Sequence, residues 1–196
     1  MKITRASDYP SKPSVLINGE MVVFKLMTRE DCGALLSFFS RVPDHEAEML
    51  RHDVRDPAVI CRWVDHLDYG EVFPLIAWNE TLETITAVAT LHYKKGIHRH
   101  VADIRVFVGQ GYRKLGLGSA IIKELVDIGT RQGLYFLQAE VLTENQLALR
   151  AFKQLGFEYK CTLEEYFMSR RKRTYDVALL LKRLRFNMEE DFFYLF

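Results

Sequence analysis

A chain of 196 residues, 48% of them apolar, can bury one substantial core but is short for two ordinary domains. Lysine and arginine number 27 against 26 aspartates and glutamates, so no overall basic field recruits nucleic acid or an anionic membrane, and any binding surface must be local. Three scattered cysteines, Cys32, Cys61 and Cys161, fit neither a disulfide framework nor a zinc spacing, and neither a membrane span nor a secretory signal is readable, so a cytoplasmic protein is expected.

Residues 1–20 hold Pro10, Pro13 and Gly19 without a sustained period and read as an extension leading into a strand at 21–26. Thr28, Arg29, Glu30 and Asp31 form an acidic cap, behind which Cys32, Leu35, Leu36 and Phe39 recur at helical spacing. Asp56 followed by Pro57 starts a second helix with the stripe Ile60, Trp63, Val64 and Leu67. Runs at 72–78, 84–93 and 101–108 predict an antiparallel meander. A glycine-punctuated turn then opens a long helix at 116–132, followed by a strand at 135–142. Thr143 is the expected cap of a helix that carries Ala148, Ala151, Phe152 and Leu155 and ends at Gly156. Strands at 159–168 and 174–181 flank the basic turn Arg170, Arg171, Lys172 and Arg173. The order β-α-α-β-β-β-α-β-α-β-β predicts an α/β (α+β) domain over 21–184, with a mixed sheet of about seven strands and about four helices. The apolar tail at 185–196, ending Phe192, Phe193, Tyr194, Leu195 and Phe196, is expected to dock on the domain or on a partner.

The turn carries the most chemistry. In Arg113, Lys114, Leu115, Gly116, Leu117, Gly118 and Ser119, glycines let the backbone bend tightly and leave amides bare at a helix N-terminus, where a pyrophosphate is favoured. Arg113 and Lys114 can add charge. Taken alone, the same spacing also suits a purely structural bend. It lacks the lysine-serine/threonine ending of a nucleotide P-loop and the three-glycine spacing of a dinucleotide fold.

These six residues, Arg113 to Gly118, resemble the phosphate signature of the GNAT N-acetyltransferase superfamily, Arg/Gln-x-x-Gly-x-Gly/Ala. Asn145, Gln146, Leu147 and Ala148, followed by Phe152, Leu155, Gly156 and Phe157, resemble its second signature. The resemblance implies a GNAT-type fold and direct transfer of an acetyl group from acetyl-CoA to a primary amine on a small molecule or a protein lysine, without a metal. It assigns pantetheine and acetyl contacts to the backbone around Val106, Phe107 and Val108, and a cofactor contact to Asn145.

Such a reaction needs a base for the ammonium proton and donors for the carbonyl oxygen. Asp103 and Glu140 occupy positions that resemble those where relatives keep a base, although Asp103 could instead pair with Arg105 and Glu140 could simply be solvated. Where relatives often carry a tyrosine that protonates the leaving thiolate, this chain has Phe152. Tyr159 or a water could take that role, the thiolate could leave unassisted, or activity could be weakened. The last alternative is an acyl-CoA-binding regulatory protein. His92, His98 and His100 are close in sequence, but nothing completes a metal-ligand spacing.

The acceptor is not readable by identity. Asp44, Glu46, Glu48, Asp53 and Asp56, against Arg51 and Arg55, would form an acidic rim that attracts a cationic amine, whereas the basic turn at 170–173 points the other way if it lines the same cleft. A homodimer through a terminal strand or the aromatic tail is compatible with the pattern.

Overall fold

The period-two segments pair into one mixed sheet. The computed structural model describes residues 8–184, so the expected docking of the tail lies outside the described residues. In chain order the elements are β1 (Lys12–Val15), β2 (Met21–Leu26), α1 (Cys32–Ser40), α2 (Asp44–Ala47), α3 (Pro57–Asp65), β3 (Val72–Asn79), β4 (Thr84–Tyr93), β5 (Val101–Val108), α4 (Leu117–Arg131), β6 (Phe136–Leu142), α5 (Gln146–Gln154), β7 (Glu158–Met168) and β8 (Thr174–Arg183). The strands lie in the order β1-β2-β3-β4-β5-β6-β8-β7.

The fold class is as expected from sequence, with eight strands and five helices among the described residues rather than about seven and about four. The additional strand, β1, lies in the segment read as an extension. It pairs antiparallel with β2, from Lys12 opposite Phe24 to Val15 opposite Met21. Its Pro13 reads as a breaker in sequence but is tolerated at the edge of a sheet, where one side of the strand needs no partner. The additional helix, α2, is a single turn.

Both faces of the sheet are covered, as the nearly continuous apolar runs of its central strands require. In β3, Leu75 and Ala77 enter a core with Leu117, Ile121, Leu125 and Ile128 of α4, while Ile76 enters a second core with Leu35 of α1 and Ile60 of α3. Asp56 accepts a hydrogen bond from Ala58 N at 2.9 Å and Pro57 follows, which starts α3 where the sequence placed it. The cap of α5 is Asn145 rather than Thr143: Asn145 accepts from Ala148 N at 3.1 Å, whereas Thr143 N donates to Asp176 O across to β8.

The site is positioned by the parallel crossover β5-α4-β6. These strands pair only from Val101 with Phe136 to Asp103 with Gln138. Beyond that, β5 keeps its partner β4 as far as Val108 and β6 keeps β8 as far as Leu142, so the sheet splits between Ile104 and Ala139. The split opens at the carboxyl ends of two parallel strands, the usual location of ligand clefts in such sheets.

Candidate active site

One side of the split is an edge of bare backbone. Gly109 N donates to Thr86 O of β4 at 2.9 Å, and since amide direction alternates along a strand, Phe107 N also points to β4 while the amides of Val106 and Val108 point into the split. The chain then turns through Lys114, φ 61°, and Gly116, φ 83°, into α4. The first helical bond runs from Ala120 N to Gly116 O at 3.0 Å. The amides of Leu117, Gly118 and Ser119 have no hydrogen-bond partner among the described residues and crown the positive end of a helix of 15 residues. Leu117 is fully buried and anchors this end in the core. Ile17 N, in the β1–β2 turn, donates to Leu115 O at 3.0 Å and ties the N-terminal hairpin to the same turn.

Arg113 does not add its charge freely to that crown. Its Nε donates to Val108 O at 3.1 Å, and both terminal nitrogens bind the carboxylate of Glu46 on α2, with Nη1 to Oε1 at 2.8 Å. These bonds hold the Glu46 carboxyl below its usual range against the opposing effect of burial. Arg113 therefore fastens α2 to this turn, and Lys114 is the cation of the turn without such a partner among the described residues.

Across the mouth of the split runs a chain of polar side chains. Lys94 Nζ lies 3.0 Å from Asp103 Oδ1 and donates to Gln138 Oε1 at 3.1 Å; Gln138 Nε2 donates to Glu140 Oε1 at 3.4 Å; Arg51 pairs with Glu140 Oε2. The two carboxylates predicted as bases are thus brought together in one network. Asp103 pairs with Lys94 rather than with Arg105, and Arg51 holds Glu140, so neither of the alternatives open in sequence describes them. His92 faces Asp103 from β4. Burial, reinforced by Arg105, pushes its imidazole down to about 4, which leaves it neutral near pH 7.

Beside this network an open pocket of about 500 Å³ is lined by Glu48, Arg51, His52, Arg105 and, from the β7–β8 hairpin, Phe167 and Arg170. The acidic rim is largely neutralised. Asp44 pairs with Arg55, Glu46 with Arg113, Glu48 with Arg171 at 2.7 Å and Asp53 with Arg170.

The remaining predicted residues lie elsewhere. Phe152 is buried, edge-on to Phe157 at 4.9 Å between ring centres, and serves the core beneath α5. Tyr159 is half exposed on β7 with its hydroxyl 3.0 Å from Thr162 Oγ1, and β8 and β6 both lie between it and β5. The structure does not bring it to the split. Lys94, Gln138, Arg51, Arg105 and His92 were missed as site residues. Alternation offered a signal for four of them: His92, Arg105 and Gln138 share the sheet face of Asp103 and Glu140, and Lys94 follows on the same strand run. Arg51, in a loop, gave none.

The model of the Acetyltransferase (GNAT) family matches residues 35–157. Similar solved structures include the ribosomal-protein-S5-alanine acetyltransferase of Vibrio fischeri, 16% identical, covering 87% of this chain and 97% of that one with a TM-score of 0.76. The GNAT domain of S. lividans PAT is 21% identical over 90% of this chain and 99% of that one, TM-score 0.73. The structure of yncA from Salmonella typhimurium with its cofactor acetyl-CoA is 17% identical over 87% and 98%, TM-score 0.71. A curated relative, an uncharacterized N-acetyltransferase of Methanocaldococcus jannaschii, is 35% identical over 63 residues, 32% of this chain and 28% of that protein, so the match spans less than a third of the relative. Acetyl-CoA is the co-substrate that goes with this fold, and the unpartnered amides of α4 and the open edge of β5 fit a pyrophosphate and an amide-bearing arm. A family model that spans residues 35–157, more than half of the chain, makes this protein a member of the GNAT family of acetyltransferases.

Proposed function

We propose that this protein is an N-acetyltransferase that moves an acetyl group from acetyl-CoA directly to a primary amine bound in the pocket between the α2–α3 connection and the β7–β8 hairpin. The observation that carries the reading is the junction of an unpaired β5 edge with a bare helix N-terminus at the mouth of a split sheet. Acetyl-CoA, when bound, supplies an acetyl group already activated as a thioester. Gly116, Leu117, Gly118 and Ser119 would hold the pyrophosphate through backbone amides, and Val106 and Val108 would offer amides to the arm and the acetyl oxygen. Asn145 has an amide group left for the cofactor after its oxygen caps α5.

Glu140 is the residue we assign as base, because its partner Arg51 lines the acceptor pocket. Asp103, three links away through Lys94 and Gln138, is a positioning residue. Neither Phe152 nor Tyr159 supplies a proton at the split, so water protonates the departing thiolate; a thiol pKa near ~8.5 makes this tolerable. The test is thiol release from acetyl-CoA across a broad amine panel. Glu140→Gln should lower kcat by about 10²-fold or more with acetyl-CoA affinity retained, and Asp103→Asn by much less. Equal losses in both variants would move the base assignment to the pair.

A second reading is favoured by Phe152 itself, whose ring packs in the core where a tyrosine could have served chemistry. In that reading the chain binds acyl-CoA and regulates a partner. Tight acetyl-CoA binding without thiol release to any amine supports it, and turnover removes it. The names of the structural neighbours do not choose the acceptor, since they include acetyltransferases of a ribosomal-protein alanine, of spermidine and of phosphinothricin.

A further inference from the structure

The acceptor pocket has a charge pattern that selects a class of amine. Its lining holds three arginines, Arg51, Arg105 and Arg170, against the single carboxylate of Glu48. Two of the arginines are already engaged: Arg51 pairs with Glu140, and Arg170 pairs with Asp53 while donating to Ala47 O at 3.2 Å and His52 O at 2.9 Å. Glu48 is bound by Arg171 at 2.7 Å. Arg105 alone among the lining cations has neither an ion pair nor a side-chain hydrogen bond among the described residues, and its Nε is shielded from solvent with no partner. A guanidinium in that position is costly unless an anion meets it, and a carboxylate or phosphate oxygen is the partner its planar fork fits best.

We propose that the pocket takes a small amine that also carries a carboxylate, phosphate or phosphonate group, with Arg105 receiving the anion. The volume of about 500 Å³ suits a small molecule. The carboxylates that could have welcomed a polyamine are consumed, since Asp44, Glu46, Glu48 and Asp53 each hold an arginine. Burial and the neighbouring arginines depress both His52 and His92, with Asp103 opposing the shift at His92, and burial together with Arg51 pushes the Arg105 guanidinium below its ordinary value although Asp103 and Glu140 act the other way. Arg105 stands one residue before Val106 on the open edge of β5, so an acceptor held there lies beside the split, on the sheet face that also carries Glu140.

This inference rests on the acetyltransferase reading for its consequence but not for its test. Trp63 stands edge-on to His52 at 5.6 Å, so tryptophan fluorescence reports ligands entering the pocket. The protein, with and without coenzyme A, is titrated with α-amino acids and short aminoalkylphosphonates, and with diamines of matching length. At least one anionic amine should give a saturable change, weakened at least about 10-fold in Arg105→Gln and less in Arg105→Lys, while diamines give none. Diamines binding as well as the anionic amines would overturn the proposal, as would no response to any anionic amine, or an affinity that Arg105→Gln leaves unchanged. If Arg105→Gln does not fold, the preference of the wild-type protein for an aminoalkylphosphonate over its diamine decides alone. Calorimetry with acetyl-CoA separates the two ideas. Anion-selective amine binding without acetyl-CoA binding sinks the acetyltransferase reading, and acetyl transfer confined to diamines sinks this one.

Discussion

The two sides of the split are made of different material. On the proposed cofactor side the groups offered are main-chain amides, at Val106 and Val108 on β5 and at Leu117, Gly118 and Ser119 on α4. On the proposed acceptor side they are side chains drawn from loops and strands far apart in sequence, such as Arg51, Arg105 and Arg170. A backbone site depends on the chain reaching one conformation, so it tolerates many side chains provided the glycines remain. A side-chain site depends on which ions find each other, and a single replacement can change what it binds. The first is suited to a constant co-substrate and the second to a changeable acceptor.

The largest test of this contrast is at Gly116. Its φ of 83° strains any other residue, and an added carboxylate would face the helix end proposed to hold a pyrophosphate. Gly116→Asp should weaken acetyl-CoA binding by roughly 100-fold in calorimetry while circular dichroism stays that of the folded protein. Normal binding by the variant would show that the amides of α4 are not the site. Arg113→Gln should do much less to acetyl-CoA, below about 10-fold, because its guanidinium is spent on Glu46 and Val108 O. It should instead lower the unfolding temperature by loosening α2. A large loss of cofactor affinity with unchanged stability would return Arg113 to the pyrophosphate. The smallest expected effect concerns pH. His92 is depressed in the folded chain to about 4, against an ordinary value of 6.5, so as pH falls from 6.5 toward 4 the unfolded chain takes up a proton that the folded one refuses, and stability declines. Melting curves of His92→Asn should show a shallower decline over that window than wild type, and superimposable declines would mean that His92 is not held neutral.

Legibility followed the same division. Gly116, Gly118 and the strand before them could be read because backbone geometry leaves a local mark on sequence, whereas Asn145 was named only by resemblance, and the cap it provides was expected at Thr143. Asp103 and Glu140 were named by resemblance, but their partners Lys94, Gln138 and Arg51 were not: alternation puts Lys94 and Gln138 on the same sheet face without saying which side chains on it will bond, and Arg51 lies in a loop with no period. The acidic rim changes character for the same reason. Counting Asp44, Glu46, Glu48 and Asp53 gives a negative surface, and only the fold shows an arginine on each. Tyr159 misled through topology: it follows α5 closely in sequence, yet β8 inserts between β6 and β7 and carries it to the outer edge.

That insertion also governs how the protein can be cut. Residues 35–157 contain both signatures and look like a self-sufficient unit. A fragment with those ends would lack β8, leaving β6 beyond Gln138 without a strand on either side, because β5 has already departed there. It would also lack Ile17, whose amide secures Leu115 in the turn that leads into α4. A minimal version of this protein must therefore keep its first hairpin and its last, with the region richest in motifs framed between two segments that carry none.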